Sequence, residues 1–381
     1  MTDFNYGDPH PQAIDCLKRK RSADERTARY FAEKLAETDS LYLQDAGGVA
    51  KALALFDQEL ANIRGWQAWV AKCFTACPSD RFAAQMCIAY ALDGARTASF
   101  RLSAAARIRC LDVCAVACQQ LSDRLEEGQA LNNLGIAWTE LGDVRKAISC
   151  YELAVKMSRE TSNRHGEGNA LGNLGLAVSS LGDAKTACRY HEQALAIARE
   201  TGDRHAIGNA VSSLGSVWVA LGYATKAIGF YEQALAIASE TGDQRAKAHA
   251  LGNLGVVWYN LKDPQKAIKF HEQALNIARE TGDRYTESQS LNNLGAAWAV
   301  LKRPQEAIVF YDEVLAIARE TGDRHSFGTT LFNSALAFDS LNQRDKAINH
   351  AEHALGIFQA IESPHADAAR RILAQWASGE P

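Results

Sequence analysis

TSNRHGEGNALGNLGLAVSSLGDAKTACRYHEQALAIARE (residues 161–200) runs straight into TGDRHAIGNAVSSLGSVWVALGYATKAIGFYEQALAIASE (residues 201–240). The two forty-residue blocks align without a gap, and blocks beginning at Thr241, Thr281 and Thr321 follow in the same register. The block from Leu121 matches as well, so six copies occupy residues 121–360. Self-similarity at this period marks an array of one supersecondary unit, stacked because no copy can bury its apolar face alone. The glycines of GNALGNLG (168–175) therefore need no phosphate to explain them. Gly175 recurs as Gly135, Gly215, Gly255 and Gly295, with Ala335 in the sixth copy.

Each block reads as two helices. The first starts after an aspartate suited to capping (Asp203, Asp243, Asp283, Asp323), continues through leucines, alanines and tryptophans at a period near 3.6, and stops at Leu-Gly, as at Leu141-Gly142 and Leu181-Gly182. The second opens with Asp263-Pro264 or Arg303-Pro304, where proline's missing N–H costs nothing. It closes at Gly202, Gly242, Gly282 or Gly322, residues suited to a left-handed C-cap. Ala147, Ala187, Ala227, Ala267, Ala307 and Ala347 share one second-helix position. The recurring small residues predict close helix approach, with Trp138, Trp218, Trp258 and Trp298 filling the space beside them.

These residues carry a resemblance. Leu254, Gly255, Trp258, Ala267, the aromatic position at 271 and Ala274 resemble the tetratricopeptide repeat, here lengthened from the usual thirty-four residues to forty through ARETGDR. The long form is similar to the repeats of kinesin light chain, of the Leu-Gly-Asn-type spindle-orientation adaptors and of many bacterial regulators. The resemblance implies an all-α, right-handed superhelical solenoid of antiparallel helix pairs whose concave side is lined by first helices. Gly47 to Val70 resembles the helical segment that joins core to repeats in bacterial signal-transducing ATPases of the nucleotide-binding, apoptosis-regulator (NB-ARC) type. No G-x-x-x-x-G-K-[S/T] motif is present, so the ATPase core is absent and the chain looks like the sensor arm of such a protein.

Outside the repeats, the sequence predicts a flexible tail over 1–22, which holds the basic run Lys18 to Arg21. A helical region with degenerate repeats follows over 23–120, RIRCLDVCAVACQQ aligning with a second helix. Residues 361–381 form a capping helix and tail, the helix reading from His365 to Ala377.

Bulk properties narrow the function. A net charge of −4 over 381 residues gives no basic excess for nucleic acid. No apolar run reaches the length of a membrane span and no secretory signal opens the chain, so the expected location is cytoplasmic, with no membrane partner. Nine cysteines, none in a Cys-x-x-Cys pair, fit a reducing compartment better than a disulfide framework. Cys110, Cys114 and Cys118 share a helical face and Cys73 and Cys77 repeat the spacing, but Cys114 and Cys118 align with Ala194 and Ala198. They read as small buried hydrophobes, with no metal and no cofactor expected. His191 and His271 alternate with Tyr151, Tyr231 and Tyr311 and read as packed aromatics with a polar tip. No catalytic constellation is legible, so no enzymatic activity is expected.

The candidate binding residues are amides at forty-residue spacing. The central first-helix position reads Asn133, Asn173, Ser213, Asn253, Asn293 and Asn333; one turn earlier stand Gln129, Asn169, Asn209, His249 and Gln289. Asparagine is a poor interior helix residue, so its recurrence needs another reason. An amide both donates and accepts, so a ladder of them can pair with the backbone of an extended peptide, and the resemblance implies the same, since similar asparagines hold peptides in the related adaptors. The alternative is that each amide bonds to the adjacent repeat. Leu176, Val256 and Leu336 supply apolar groove positions beside them. A basic rim is expected from Arg164, His165, Arg204, His205, Arg245, Arg284 and Arg324 at helix starts, reading acidic residues of a protein or peptide partner. Its alternative is pairing with Glu160, Glu200, Glu240, Glu280 and Glu320 at the preceding helix ends. The function expected is a protein-interaction adaptor; the runner-up is a sensor subunit that binds a signalling peptide or small ligand and controls a separate effector.

Overall fold

The computed structural model describes residues 11–42, 46–93 and 95–378, whose regular elements are all helices joined by short turns, with no strand among them. Two compact units divide the chain at Thr201 and Gly202. The first holds α1 (Pro11–Tyr42), α2 (Ala46–Ala76), α3 (Arg81–Leu92), α4 (Ala95–Arg101), α5 (Ala104–Leu121), α6 (Arg124–Glu140), α7 (Val144–Glu160), α8 (Arg164–Ser180) and α9 (Ala184–Thr201). The second holds α10 (Arg204–Ala220), α11 (Ala224–Thr241), α12 (Gln244–Asn260), α13 (Pro264–Thr281), α14 (Arg284–Val300), α15 (Pro304–Thr321), α16 (Arg324–Ser340), α17 (Arg344–Ala360) and α18 (His365–Ser378).

Local chemistry sets the helix ends. The side chains of Asp203, Asp243 and Asp323 accept from the third backbone N–H of their helices at 2.9, 2.9 and 3.0 Å, and Asn163 does the same at 2.9 Å. Pro264 and Pro304 occupy the first turn of α13 and α15. First helices stop where the chain turns left-handed, at Gly142, Gly182 and Gly222 with φ of 87°, 86° and 83°. The next copies place Lys262, Lys302 and Asn342 there, at φ of 64°, 59° and 57°. A side chain in this region costs about 1–2 kcal/mol, of which glycine's extra unfolded freedom returns part. Replacing Lys262 and Lys302 with glycine is therefore expected to stabilise the fold by about 0.5–1 kcal/mol per site and so raise the thermal unfolding midpoint; a lower midpoint would show that these lysines make contacts worth more than the strain.

Packing within a repeat rests on residues equidistant from its turn. A Cβ built on Gly135, Gly215 or Gly295 would come within 2.4, 2.6 or 2.4 Å of the ring of Tyr151, Tyr231 or Tyr311, and one on Gly175 or Gly255 within 2.6 or 2.5 Å of His191 or His271. The ring of the second helix, not the indole of the first, fills the space over each glycine. In the sixth copy both partners change together, to fully buried Ala335 and Ala351. The indoles meet cations instead: Lys146, Lys226 and Lys266 lie 4.1, 4.2 and 3.8 Å from the ring centres of Trp138, Trp218 and Trp258, and Arg303 lies 4.8 Å from that of Trp298. Each such contact ties the two helices of a pair by about 0.5–1 kcal/mol.

Stacking between pairs is apolar. In the first unit Leu131, Val155, Met157, Leu171 and Ile197 form one cluster; in the second, Ile268, Leu275, Leu291, Leu294, Val314 and Ile317 form another. Phe358 and Ala369 bury α18 against the last pair. At the other end Ile108, Leu111, Cys114 and Cys118 of α5 pack on Ala130, Leu134 and Ala137 of α6, so α5 stacks as a second helix does. Its partner is α3, with the short α4 inserted between them.

The expected tail over 1–22 is corrected in part. Residues 1–10 lie outside the described residues, whereas 11–22 are the first turns of α1. Arg21, from the basic run, bonds to Glu25 at 2.9 Å and pairs with Asp80, which docks α1 at the start of α3.

Candidate functional site

On every first helix of the six repeats the central residue, the residue four earlier and the residue three later share one face. In the first unit these are Gln129, Asn133 and Ile136 on α6, then Asn169, Asn173 and Leu176 on α8. In the second they are Asn209, Ser213 and Ser216 on α10, His249, Asn253 and Val256 on α12, Gln289, Asn293 and Ala296 on α14, and Thr329, Asn333 and Leu336 on α16. Gln129, Asn169, Asn209 and Gln289 are exposed, and the six central residues are all half-buried. Leu176, Val256 and Leu336 are 55%, 39% and 38% exposed. Each unit thus presents an accessible strip free of formal charge apart from His249, with amides beside apolar side chains.

The central amides fall into two groups. Asn173 Nδ2 donates to Asn132 Oδ1 at 3.0 Å, and Asn333 Nδ2 to Asn292 Oδ1 at 3.4 Å, each joining adjacent repeats within one unit. These two bonds exist because an asparagine precedes the central residue in the repeat before. Where Ser212 or Gly252 stands there, Asn253 and Asn293 find no hydrogen-bond partner among the described residues, and Asn133 has none either. A bond to the adjacent repeat thus accounts for Asn173 and Asn333.

Five of the seven expected rim cations, Arg164, Arg204, His205, Arg245 and Arg284, lie against the chain's own carboxylates, whereas Arg324 has no carboxylate partner among the described residues. Arg164 donates to Glu200 at 3.1 Å and to Glu167 at 2.5 Å; Arg284 donates to Glu320 at 2.6 Å and to Glu287 at 2.9 Å; Arg204 pairs with Glu240. His205 and Arg245 lie 3.5 and 3.9 Å from Asp243 and Asp283. The carboxylate that each of these three arginines meets ends the second helix of its own repeat, not the preceding helix. The Arg164 guanidinium holds the Glu200 carboxyl below its usual range. Glu167 and Glu287, 4% and 6% exposed, are buried anchors of these networks that charge patterning did not reveal. Arg159 and Arg279 complete them at 2.7 and 3.1 Å.

Of the five cysteines expected to be small buried hydrophobes, Cys114 and Cys118 are buried, Cys73 and Cys110 are half-buried, and Cys77 is exposed, a correction to that expectation. Cys114 and Cys118 are fully buried with sulfurs 4.0 Å apart, and their contact together with burial raises the Cys114 thiol far above its usual range. Among the described residues no three His, Cys, Asp or Glu side chains are placed to hold a metal ion. His191 and His271 are 1% exposed, and burial lowers each to about 4, so both rings are neutral at pH 7. No helix among the described residues is long and apolar enough to cross a membrane.

The tetratricopeptide repeat family profile matches residues 126–200, 206–280 and 286–360. No curated protein matches the chain. Among solved structures, aspartyl phosphate phosphatase F from Bacillus subtilis is similar in fold at a TM-score of 0.61 and 12% identity, over 93% of this chain and 96% of that one. A signal transduction ATPase with numerous domains and a tetratricopeptide repeat sensor, from Pyrococcus horikoshii, also reaches 0.61 at 16% identity, over 92% of this chain and 55% of that one. A Rap protein complexed with competence and sporulation factor gives 0.55 at 15% identity, over 91% and 98%.

Proposed function

Because the chain belongs to the tetratricopeptide repeat family, we propose that it is a protein-interaction adaptor that binds an extended peptide segment of a partner protein on its uncharged first-helix face. The observation that carries this reading is the pair Asn253 and Asn293. Both are half-buried, both stand in helix interiors where alanine is the better residue, and neither bonds to the fold. Val256 lies exposed one turn from Asn253, so a peptide backbone on the amides would set a side chain against it. The Rap protein solved with competence and sporulation factor is a similar fold holding a ligand. Gln129, Asn133, Asn169 and Asn173 form the corresponding face of the first unit, and Asn209, Ser213, His249, Gln289 and Asn333 continue that of the second. The paired arginines are not part of the proposal, since their carboxylates already neutralise them. We infer a reducing compartment, the cytoplasm, a reading that the free cysteines among the described residues favour.

Replacing Asn253 and Asn293 together with alanine tests this. If they serve a ligand, stability stays level or rises by about 0.5 kcal/mol per site on helix propensity alone, while affinity for a partner captured from native lysate falls at least tenfold. Unchanged affinity, or a loss of stability by urea titration, would make them structural residues.

A further inference from the structure

The insertion of α4 has a consequence within the first unit. With α2, α3, α5 and α6 it lines a partly open cavity of about 250 Å³. The walls are mostly apolar: Ala91, Ala98, Leu102, Leu111 and Ile136 among them. Helix α4 is held as the cover by two acidic anchors. Asp39 of α1 accepts from the Thr97 backbone N–H at 2.9 Å and from its hydroxyl at 2.8 Å, and Asp57 of α2 accepts from Arg101 at 2.6 and 2.9 Å.

Two donors on the lining are unused. Arg107 is 8% exposed, and its Nε is buried with no hydrogen-bond partner among the described residues. The guanidinium charge itself is matched, because Nη2 donates to Glu140. Asn133, first of the central amides, also lines the cavity. A buried N–H without an acceptor is destabilising, and a ligand that supplies the acceptor removes that cost. With Glu140 already opposite Arg107, a neutral carbonyl suits the vacant donor, whereas a carboxylate would meet the Glu140 charge. The volume sets the size of the apolar part: about 150 Å³ takes one benzene, so this space holds a single large side chain with its adjoining carbonyl.

We propose that this cavity is an anchor pocket for one large apolar residue of a bound peptide, whose backbone carbonyl accepts from Arg107 Nε. The inference rests on the peptide-binding reading above and adds to it the chemistry of the anchor residue. Asn133 joins the pocket to the amide face of the first unit.

The test needs no natural partner. N-acetylphenylalaninamide, N-acetylphenylalanine and N-acetylglycinamide are titrated against the full chain by ligand-observed NMR. The capped phenylalanine amide is expected to bind, the free acid at least threefold more weakly, and the glycine amide not at all. Ala98→Phe, which fills the space from the α4 side, is expected to abolish binding. Arg107→Met is expected to weaken it at least tenfold; should that variant fail to fold, Ala98→Phe alone decides. No binding to the wild-type chain, equal or tighter binding of the acid, or binding retained in Ala98→Phe would overturn the proposal. The peptide-binding reading fails separately, through the Asn253 and Asn293 variant, which lies in the other unit.

Discussion

Gly255→Ala is expected to destabilise the second unit by about 2 kcal/mol, whereas Gly252→Ala, one turn away on the same helix, is expected to stabilise it by about 1 kcal/mol. Alanine is the better helix former by about 1 kcal/mol, and that term applies at both sites. At Gly252 nothing lies within 4 Å of the added Cβ, so propensity acts alone. At Gly255 the Cβ would sit 2.5 Å from the His271 ring, which is 1% exposed and cannot swing aside. Overpacking of this kind costs about 1–3 kcal/mol or somewhat more, which outweighs the propensity gain. His271→Ala alone should also destabilise, through a cavity. The double replacement should be less destabilised than the sum by about 2 kcal/mol, since it recreates the Ala335 and Ala351 pair of the sixth repeat. Urea titration of the four variants checks the cycle; additive losses would mean that glycine and ring are not packed against each other.

The second large effect is a loss of stability in mild acid. His191 and His271 are held neutral in the fold, each lowered to about 4 by burial, while in the unfolded chain each protonates near the ordinary histidine value of 6.5. Between those values the unfolded state binds more protons, so stability rises with pH. The contribution is fully present above about 6.5 and is lost as pH falls toward 4. Between pH 7 and pH 5 the loss is about 2 kcal/mol for each histidine, with His191 acting on the first unit and His271 on the second. Tyrosine occupies the same position in three other repeats, so His191→Tyr and His271→Tyr should fold and should flatten the thermal midpoint over this range. A profile as steep as that of the wild type would assign the acid sensitivity elsewhere.

These two predictions also show how far the sequence could be read. Glycine at 135, 175, 215, 255 and 295 and the ring at 151, 191, 231, 271 and 311 were each visible as a periodicity. Sequence proximity favours the indole as the partner of each glycine, whereas the contact is made by the ring of the second helix. The correct pairing was available in principle: Gly135 and Tyr151 stand equally far from the turn at Asp143, and antiparallel helices bring such positions together. Helix limits in the repeats were legible because each copy repeats its caps. Those before residue 121 were less so, since α4 is an insertion with no counterpart and Arg21 finds Asp80 only through tertiary packing. The buried Glu167 looked like any surface glutamate, as nothing local marks a carboxylate that two arginines from different helices will enclose. At the candidate site the amide spacing was legible, but not the split between bonded and unbonded members. That depends on whether residues 132 and 292 are asparagine, forty-one positions before their partners.

Site-specific photo-crosslinking measures most directly whether the first-helix face is the binding surface. A photoreactive phenylalanine is placed at Val256, exposed on α12, and in a second variant at Glu232, exposed on the second helix α11 of the same unit. The account predicts that irradiation joins a protein or peptide partner to the chain from position 256 and not from 232. Crosslinks from 232 alone, or equally from both, would contradict it.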